Sequence, residues 1–260
     1  MRKRTTLLAL SVVAVLLMIA GPGMVTRAAA ATPVSQCMNI TEAGAYELVQ
    51  NIQAYSYGDC LLVQADFVTI DLKGYAIVSS NRSGAAVSGF GRALVVRGGT
   101  IYNFYTGIRG SDGLVVERMR VVGNNVGVEA TTGIMGASAV VKDSVFSDNS
   151  QWGVTISAGV VSGNSFTRNG TGLMSGMFGF PPSGSATIAN NTFAQNSVGI
   201  QTQGPASIQN NTIEGGNNAM LVACPAHIVG NTVLRSGMPL MIQNSNVWDC
   251  TFEQNSIRQF

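Results

Sequence analysis

From Val160 onwards, apolar and polar positions recur at a fixed spacing. Three near-copies follow one another: Ile188-Ala-Asn-Asn-Thr-Phe193, Ile208-Gln-Asn-Asn-Thr-Ile213 and Ile228-Val-Gly-Asn-Thr-Val233. Phe193, Ile213 and Val233 are 20 residues apart, and seven residues after each comes Ile200, Met220 or Leu240. A period of about 20 marks a solenoid whose coils stack on one another. The repeat is too short for a helix pair and carries β-branched residues, Asn and Gly. It predicts three short strands and three turns per coil, a parallel β-helix.

Applied strictly, the template extends backwards. Anchors equivalent to Phe193 fall at Ile77, Ile101, Val121, Phe146, Phe166, Phe193, Ile213, Val233 and Phe252, with steps of 24, 20, 25, 20, 27, 20, 20 and 19. Five residues before the last eight anchors stand Val96, Val116, Val141, Val161, Ile188, Ile208, Ile228 and Val247. About seven after Ile101 to Val233 stand Ile108, Val128, Val154, Leu173, Ile200, Met220 and Leu240. Each coil thus supplies three apolar columns that only its neighbours can bury. Eight steps at the strand spacing give a column roughly 38 Å tall.

Polar positions form columns too. Asn164, Asn191, Asn211 and Asn231 precede their anchors by two, while Asn124, Asn149, Asn169, Asn196 and Asn255 follow theirs by three. Asn suits tight bends, and stacked Asn side chains bond along a ladder. Thr100, Thr192, Thr212, Thr232 and Thr251 directly precede anchors, an outward array of the kind ice-binding solenoids display. A charged column lies four before the anchors: Lys73, Arg97, Glu117 and Lys142, then Ser162, Ala189 and Gln209. Arg118 stands below Asp143, and Arg120 precedes Val121.

The N-terminus reads differently. Arg2, Lys3 and Arg4 precede an apolar run from Leu7 to Ala20, and small residues fill Ala28 to Ala31. That predicts a secretory signal over 1–31, a mature domain over 32–260 in the secreted or periplasmic space, and no membrane span after cleavage. Four cysteines fit that compartment, with three possible connectivities. Local pairing favours Cys37–Cys60 and Cys224–Cys250. The template opposes the second pair, since it sets Cys224 and Cys250 near different bends. The formal charge of +2 becomes about −2 once Arg2, Lys3, Arg4 and Arg27 are removed, which leaves no basic field for nucleic acid.

Residues 37–76 form the lower end. Their pattern is C…I-T-x-x-G-x-Y-x-L…C-L-x-V-x-A-D-x-V-T-I-D-L-x-G-x-x-I, with Cys37, Ile40, Tyr46, Leu48, Cys60, Asp66, Ile70 and Asp71 among its fixed positions. It resembles the N-terminal coils of secreted bacterial right-handed β-helix repeat proteins of the pectate-lyase-like superfold. The resemblance implies an all-β, single-stranded right-handed parallel β-helix of about nine to ten coils. Residues 37–76 would be the N-terminal coils and cap, 77–252 the regular coils and 253–260 the C-terminal end. The usual bias of parallel crossovers supports the same hand.

The superfold hosts lyases, hydrolases, epimerases, esterases and non-enzymes, so function must come from a site. Signatures that such enzymes carry are missing: the one histidine, His227, follows Ala226 rather than sitting in Gly-His-Gly, and no Asp-Pro-His occurs. No two of the seven aspartates are less than five residues apart. His227 reads as an exposed turn residue, and no metal ligand set is expected. The expected function is a secreted module that binds a glycan or a cell-surface partner, without evident catalysis or cofactor. The rival is a lyase or hydrolase of acidic polysaccharide, with calcium a possible cofactor if it is a lyase. Whether the chain is an enzyme stays open here. Candidate catalytic residues are Arg97, Lys142, Arg118, Arg120, Glu117 and Asp143. Lys142 or Arg97 would be the base, and Arg118 and Arg120 would hold carboxylates. The steps of 24, 25 and 27 place insertions at one corner, counting Gly84 as the inward partner seven after Ile77. Met135, Met177, Phe178 and Phe180 on them are candidate binding residues. The same apolar residues could instead cover one sheet.

Overall fold

A computed structural model describes residues 30–55, 57–130, 138–176, 184–243 and 249–259. Its strands wind into a right-handed parallel solenoid of about ten turns, with no α-helix among the described residues. The expected leader lies outside the described residues, apart from its last two positions.

Each turn has three faces. Face one is a ten-stranded sheet running from Met38–Ile40 to Met238–Ile242. Faces two and three form one nineteen-stranded sheet, because Val95–Tyr102 and Leu114–Val122 pass through the corner between them without a break. Face three carries the anchors. Ile52, Ile77, Ile101, Val121, Phe146, Phe166, Phe193, Ile213, Val233 and Ile257 lie in register through it. Face two carries the preceding partners and face one the following partners, and these inward columns make up the core. Nine steps give a stack about 43 Å tall.

Two corners share one construction. A residue with left-handed backbone makes the bend, and the next residue is a buried Asn or its equivalent. Asn190 and Asn210 bend the chain at φ 56° and 53°, and Asn191 and Asn211 follow them into the interior. Gln195 at φ 56° precedes Asn196 in the same way. The ladder asparagines are therefore not the left-handed residues. The interior Asn amides bond from coil to coil: Asn191 Nδ2 donates to Asn211 Oδ1 at 3.0 Å, and Asn211 Nδ2 to Asn231 Oδ1 at 3.0 Å. A sidechain ladder thus carries the strand pairing through the bend.

The template missed a column of small residues. Gly107, Gly127, Gly153, Gly172, Gly199 and Ala219 stand second in successive strands of face one. A methyl at Gly172 would stand 2.7 Å from both the Gly199 carbonyl oxygen and Phe193 Cδ1, so only glycine lets the coils close there.

The last coil corrects the template. Phe252 pairs with Ile228 on face two, and the anchor is Ile257, opposite Val233. Asn255 therefore belongs two before its anchor, below which Asn231 Nδ2 donates to it at 3.0 Å. Thr251 sits beside His227 on face two rather than in the threonine array. Val247 lies outside the described residues. The shift also removes the objection to the second disulfide. Cys250 lies opposite Ala226, two residues after Cys224, and the sulfurs bond with a Cα separation of 5.3 Å. Cys37–Cys60 closes at 4.5 Å.

The first insertion is also displaced. The inward partner after Ile77 is Val87, not Gly84, since Val87 pairs with Ile108. The added residues lie between Ser79 and Ala85, at the corner joining faces three and one. There Arg82 Nη2 reaches up to the Asn124 carbonyl oxygen at 3.2 Å and to Ser150 Oγ at 3.0 Å.

Candidate functional site

The outward charges of face two stand in the order Glu47, Asp71, Arg97, Glu117, Lys142, Ser162. Asp71 rather than Lys73 occupies the step below Arg97. Two additional residues at this coil's corner move Lys73 into the bend, at φ 52°. The signs alternate enough for the column to pair with itself. Arg97 Nε meets Asp71 Oδ2 at 2.9 Å, and Lys142 Nζ meets Glu117 Oε2 at 3.0 Å. Arg118 Nη2 meets the other Glu117 oxygen at 2.6 Å, and Lys73 meets Glu47 at 3.4 Å.

Glu117 is the centre of this network. Its carboxylate is largely covered while Arg118 and Lys142 stay partly exposed. Lys142's hydrogen bond, with the charge of Arg118, holds its pKa below the ordinary 4.5 against the opposing effect of burial. Arg118 and Asp143 share the corner column, both at φ 51°, but Arg118 turns to Glu117 and makes no ion pair with Asp143. The six residues singled out for catalysis are therefore neighbours, yet four of them, Arg97, Glu117, Arg118 and Lys142, are tied up in ion pairs.

Arg120 differs. It lies on face three between Thr100 and Val145, fully outward. Among the described residues it makes no ion pair, although its charge reaches far enough to help lower the pKa of Asp148, which is held mainly by Arg168. Beside it is Tyr102, two residues along the neighbouring strand from Thr100 and 46% exposed. The Tyr102 ring lies over the corner of the next coil, so closely that a methyl at Gly123 would stand 2.8 Å from Cε2. Tyr75 is exposed at the opposite edge of face three, where the strand begins, its carbonyl oxygen accepting from the Thr100 N–H at 3.1 Å. The lower part of face three thus offers a free guanidinium and two aromatic rings, one at each edge, with Tyr102 backed by main chain. The periodic template carries Tyr102 only as the outward residue directly after the anchor Ile101. Its mark is exposure, shared with Tyr55, Tyr57, Phe67, Tyr75, Phe90 and Tyr105 in the lower coils, while Phe252 is exposed in the last coil.

Met135, Met177, Phe178 and Phe180 lie outside the described residues. On the outer side of face one, Thr155 and Met174 are each only 4% exposed. No group of three or more His, Cys, Asp or Glu suited to a metal occurs among the described residues. His227 is on the strand Ala226–Val229, pointing outward, rather than in a turn.

No family profile matches the sequence, and no curated protein does. Among solved structures, the fold is similar to the Azotobacter vinelandii mannuronan C-5 epimerase AlgE6 A-module, at TM-score 0.51 and 10% identity over 86% of this chain and 80% of that one. The Acinetobacter baumannii phage AM24 tailspike protein is matched at TM-score 0.45 and 10% identity, over 88% of this chain and 46% of the tailspike. Register, corners and fold likeness together make the chain a parallel β-helix repeat protein.

Proposed function

We propose that this chain is a glycan-binding β-helix module that works outside the cytoplasm, and that it takes an acidic polysaccharide across the lower coils of face three. The observation that carries this reading is Arg120, an exposed cation without an ion-pair partner among the described residues, next to the Tyr102 ring. A pyranose packs its C–H face on an aromatic ring, and a guanidinium takes a carboxylate bidentately. Both disulfides support an oxidising compartment, as does the leader expected over 1–31. The A-module of similar fold is named for mannuronan, which agrees with an acidic glycan as ligand. Binding is favoured over bond cleavage because Arg97 and Lys142, the candidate bases, are each held by a carboxylate.

The test is calorimetric titration with oligomers of mannuronate and of galacturonate. Arg120→Ala and Tyr102→Ala should each weaken binding tenfold or more, and Lys142→Ala should leave it within twofold. Release of unsaturated uronides, followed by ultraviolet absorbance and lost in Arg97→Ala or Lys142→Ala, would instead establish the lyase and overturn the binding reading.

A further inference from the structure

The upper end of face two holds a second polar site. Thr187, Ser207, His227 and Thr251 form an outward column on successive coils. A parallel column on the adjoining corner runs Ser185, Pro205, Pro225 and Asp249, and small Ala206 and Ala226 lie between the two. The result is a trough of about 360 Å³, toward the lower end of the range for small-molecule sites (about 300–1,000 Å³). It climbs three coil steps, about 14 Å.

Its chemistry differs from that of the lower coils of face three. His227 is exposed and its Nδ1 is engaged by Thr251 Oγ1 at 2.5 Å, which leaves Nε2 as the ring nitrogen for a ligand. Asp249 has no cationic partner among the described residues, and no Lys or Arg lines the trough. A carboxylate without a cation repels anions. Hydroxyls, an imidazole edge and a carboxylate are hydrogen-bond partners for alcohols. Pro205 and Pro225 add flat apolar surface with no N–H of their own. The Cys224–Cys250 bridge ties the top two coils of the trough together, since Cys224 precedes Pro225 and Cys250 stands between Asp249 and Thr251.

We propose that this trough is a binding site for a neutral sugar, held by Asp249, His227 and the hydroxyls of Ser207 and Thr251 with a ring face on the prolines. It is separate from the Arg120 site and does not depend on it. A ligand carrying both acidic and neutral residues could use both, Arg120 on face three and His227 on face two being five coils apart.

The single histidine supplies the measurement. One imidazole resonance pair should appear in the nuclear magnetic resonance spectrum, assignable by its loss in His227→Ala. Titration with neutral tetrasaccharides, mannotetraose and cellotetraose, should move it with saturation for at least one of them. Asp249→Asn and the double variant Ser207→Ala/Thr251→Val should weaken that titration tenfold or more with an unchanged melting temperature. Tyr102→Ala should leave it within twofold, which separates this site from the acidic-glycan site. No shift with either neutral tetrasaccharide at 20 mM, or a shift with galacturonate oligomers alone, would overturn the proposal.

Discussion

The ring of Phe166 lies 4.7 Å from that of Phe193 and within 5° of parallel. Phe146 stacks on its other side at 5.1 Å, so Phe166 is the middle ring of three. Phe166→Ala should cost about 3–5 kcal/mol through the cavity and the lost stacking on both sides. Thr212→Ala, outward on the same face, should cost less than about 0.5 kcal/mol. Urea melts compare the two; equal losses would mean that the inward register is wrong.

The Asn ladder makes a sharper demand. Asn211 Oδ1 accepts from the N–H and the Nδ2 of Asn191, and Asn211 Nδ2 donates to the Ile188 carbonyl oxygen at 2.8 Å. Asn211→Ala leaves a buried N–H without its partner, at about 1–3 kcal/mol, and adds the loss of the Ile188 bond. Asn125→Ala removes only exposed bonds, to Gln151 and from Ser150, and should be nearly neutral. Amide hydrogen exchange should locate the effect, with protection at Asn191 falling most.

Most of the fold was legible because three inward positions per coil are apolar and nearly evenly spaced. The exceptions have a common cause: a template reads apolar residues but not strand ends. Phe252 lies 19 residues after Val233, so it satisfied the template, while the true anchor Ile257 comes 24 after it. The conflict with Cys224–Cys250 was the available sign that the last coil was mis-set, and Asn255, two before Ile257, was another. Gly84 was chosen over Val87 for a similar reason, as seven was the usual count and the longer corner was invisible. The site was legible only in part. Arg97, Glu117, Lys142 and Arg118 were placed together correctly, but which cation pairs with which carboxylate depends on side-chain reach. That choice leaves Arg120 unpaired, and so marks it. Tyr102 stands one after its anchor, a position whose residue type does not repeat, and its exposure beside Gly123 is what singles it out.

The disulfide in the last coils should stabilise them locally. Cys224 and Cys250 are 26 residues apart, for which the chain-entropy model gives about 3–4 kcal/mol. Each coil contacts only its neighbours, so Cys224→Ser/Cys250→Ser should loosen 226–258 before the middle coils. Limited proteolysis should then cut above Val222 while the fragment around the phenylalanine stack persists. The wild-type protein should show no free thiol when denatured without reductant; two titratable thiols would contradict the paired state.

Glu117 should make stability depend on acid in a defined window. Its folded pKa lies below the ordinary 4.5, held there first by the hydrogen bond from Lys142. A depressed carboxylate pKa adds stability that is fully present above the unfolded value and is lost as pH falls through the folded one. The contribution should be constant from neutral pH to about 5 and shrink below about 4.5. Because Arg118 and Lys142 are partly exposed, solvent screening limits it to about 1 kcal/mol. Glu117→Gln keeps the side-chain volume and removes the charge. Asp148, lowered from 3.8 by its pair with Arg168, titrates in both proteins and cancels in their difference. Unfolding free energies of wild type and Glu117→Gln should therefore differ by a constant amount near neutrality and converge over the interval below pH 4.5. A difference that stays constant or widens over that interval would show that Glu117 is not the carboxylate on which the column depends.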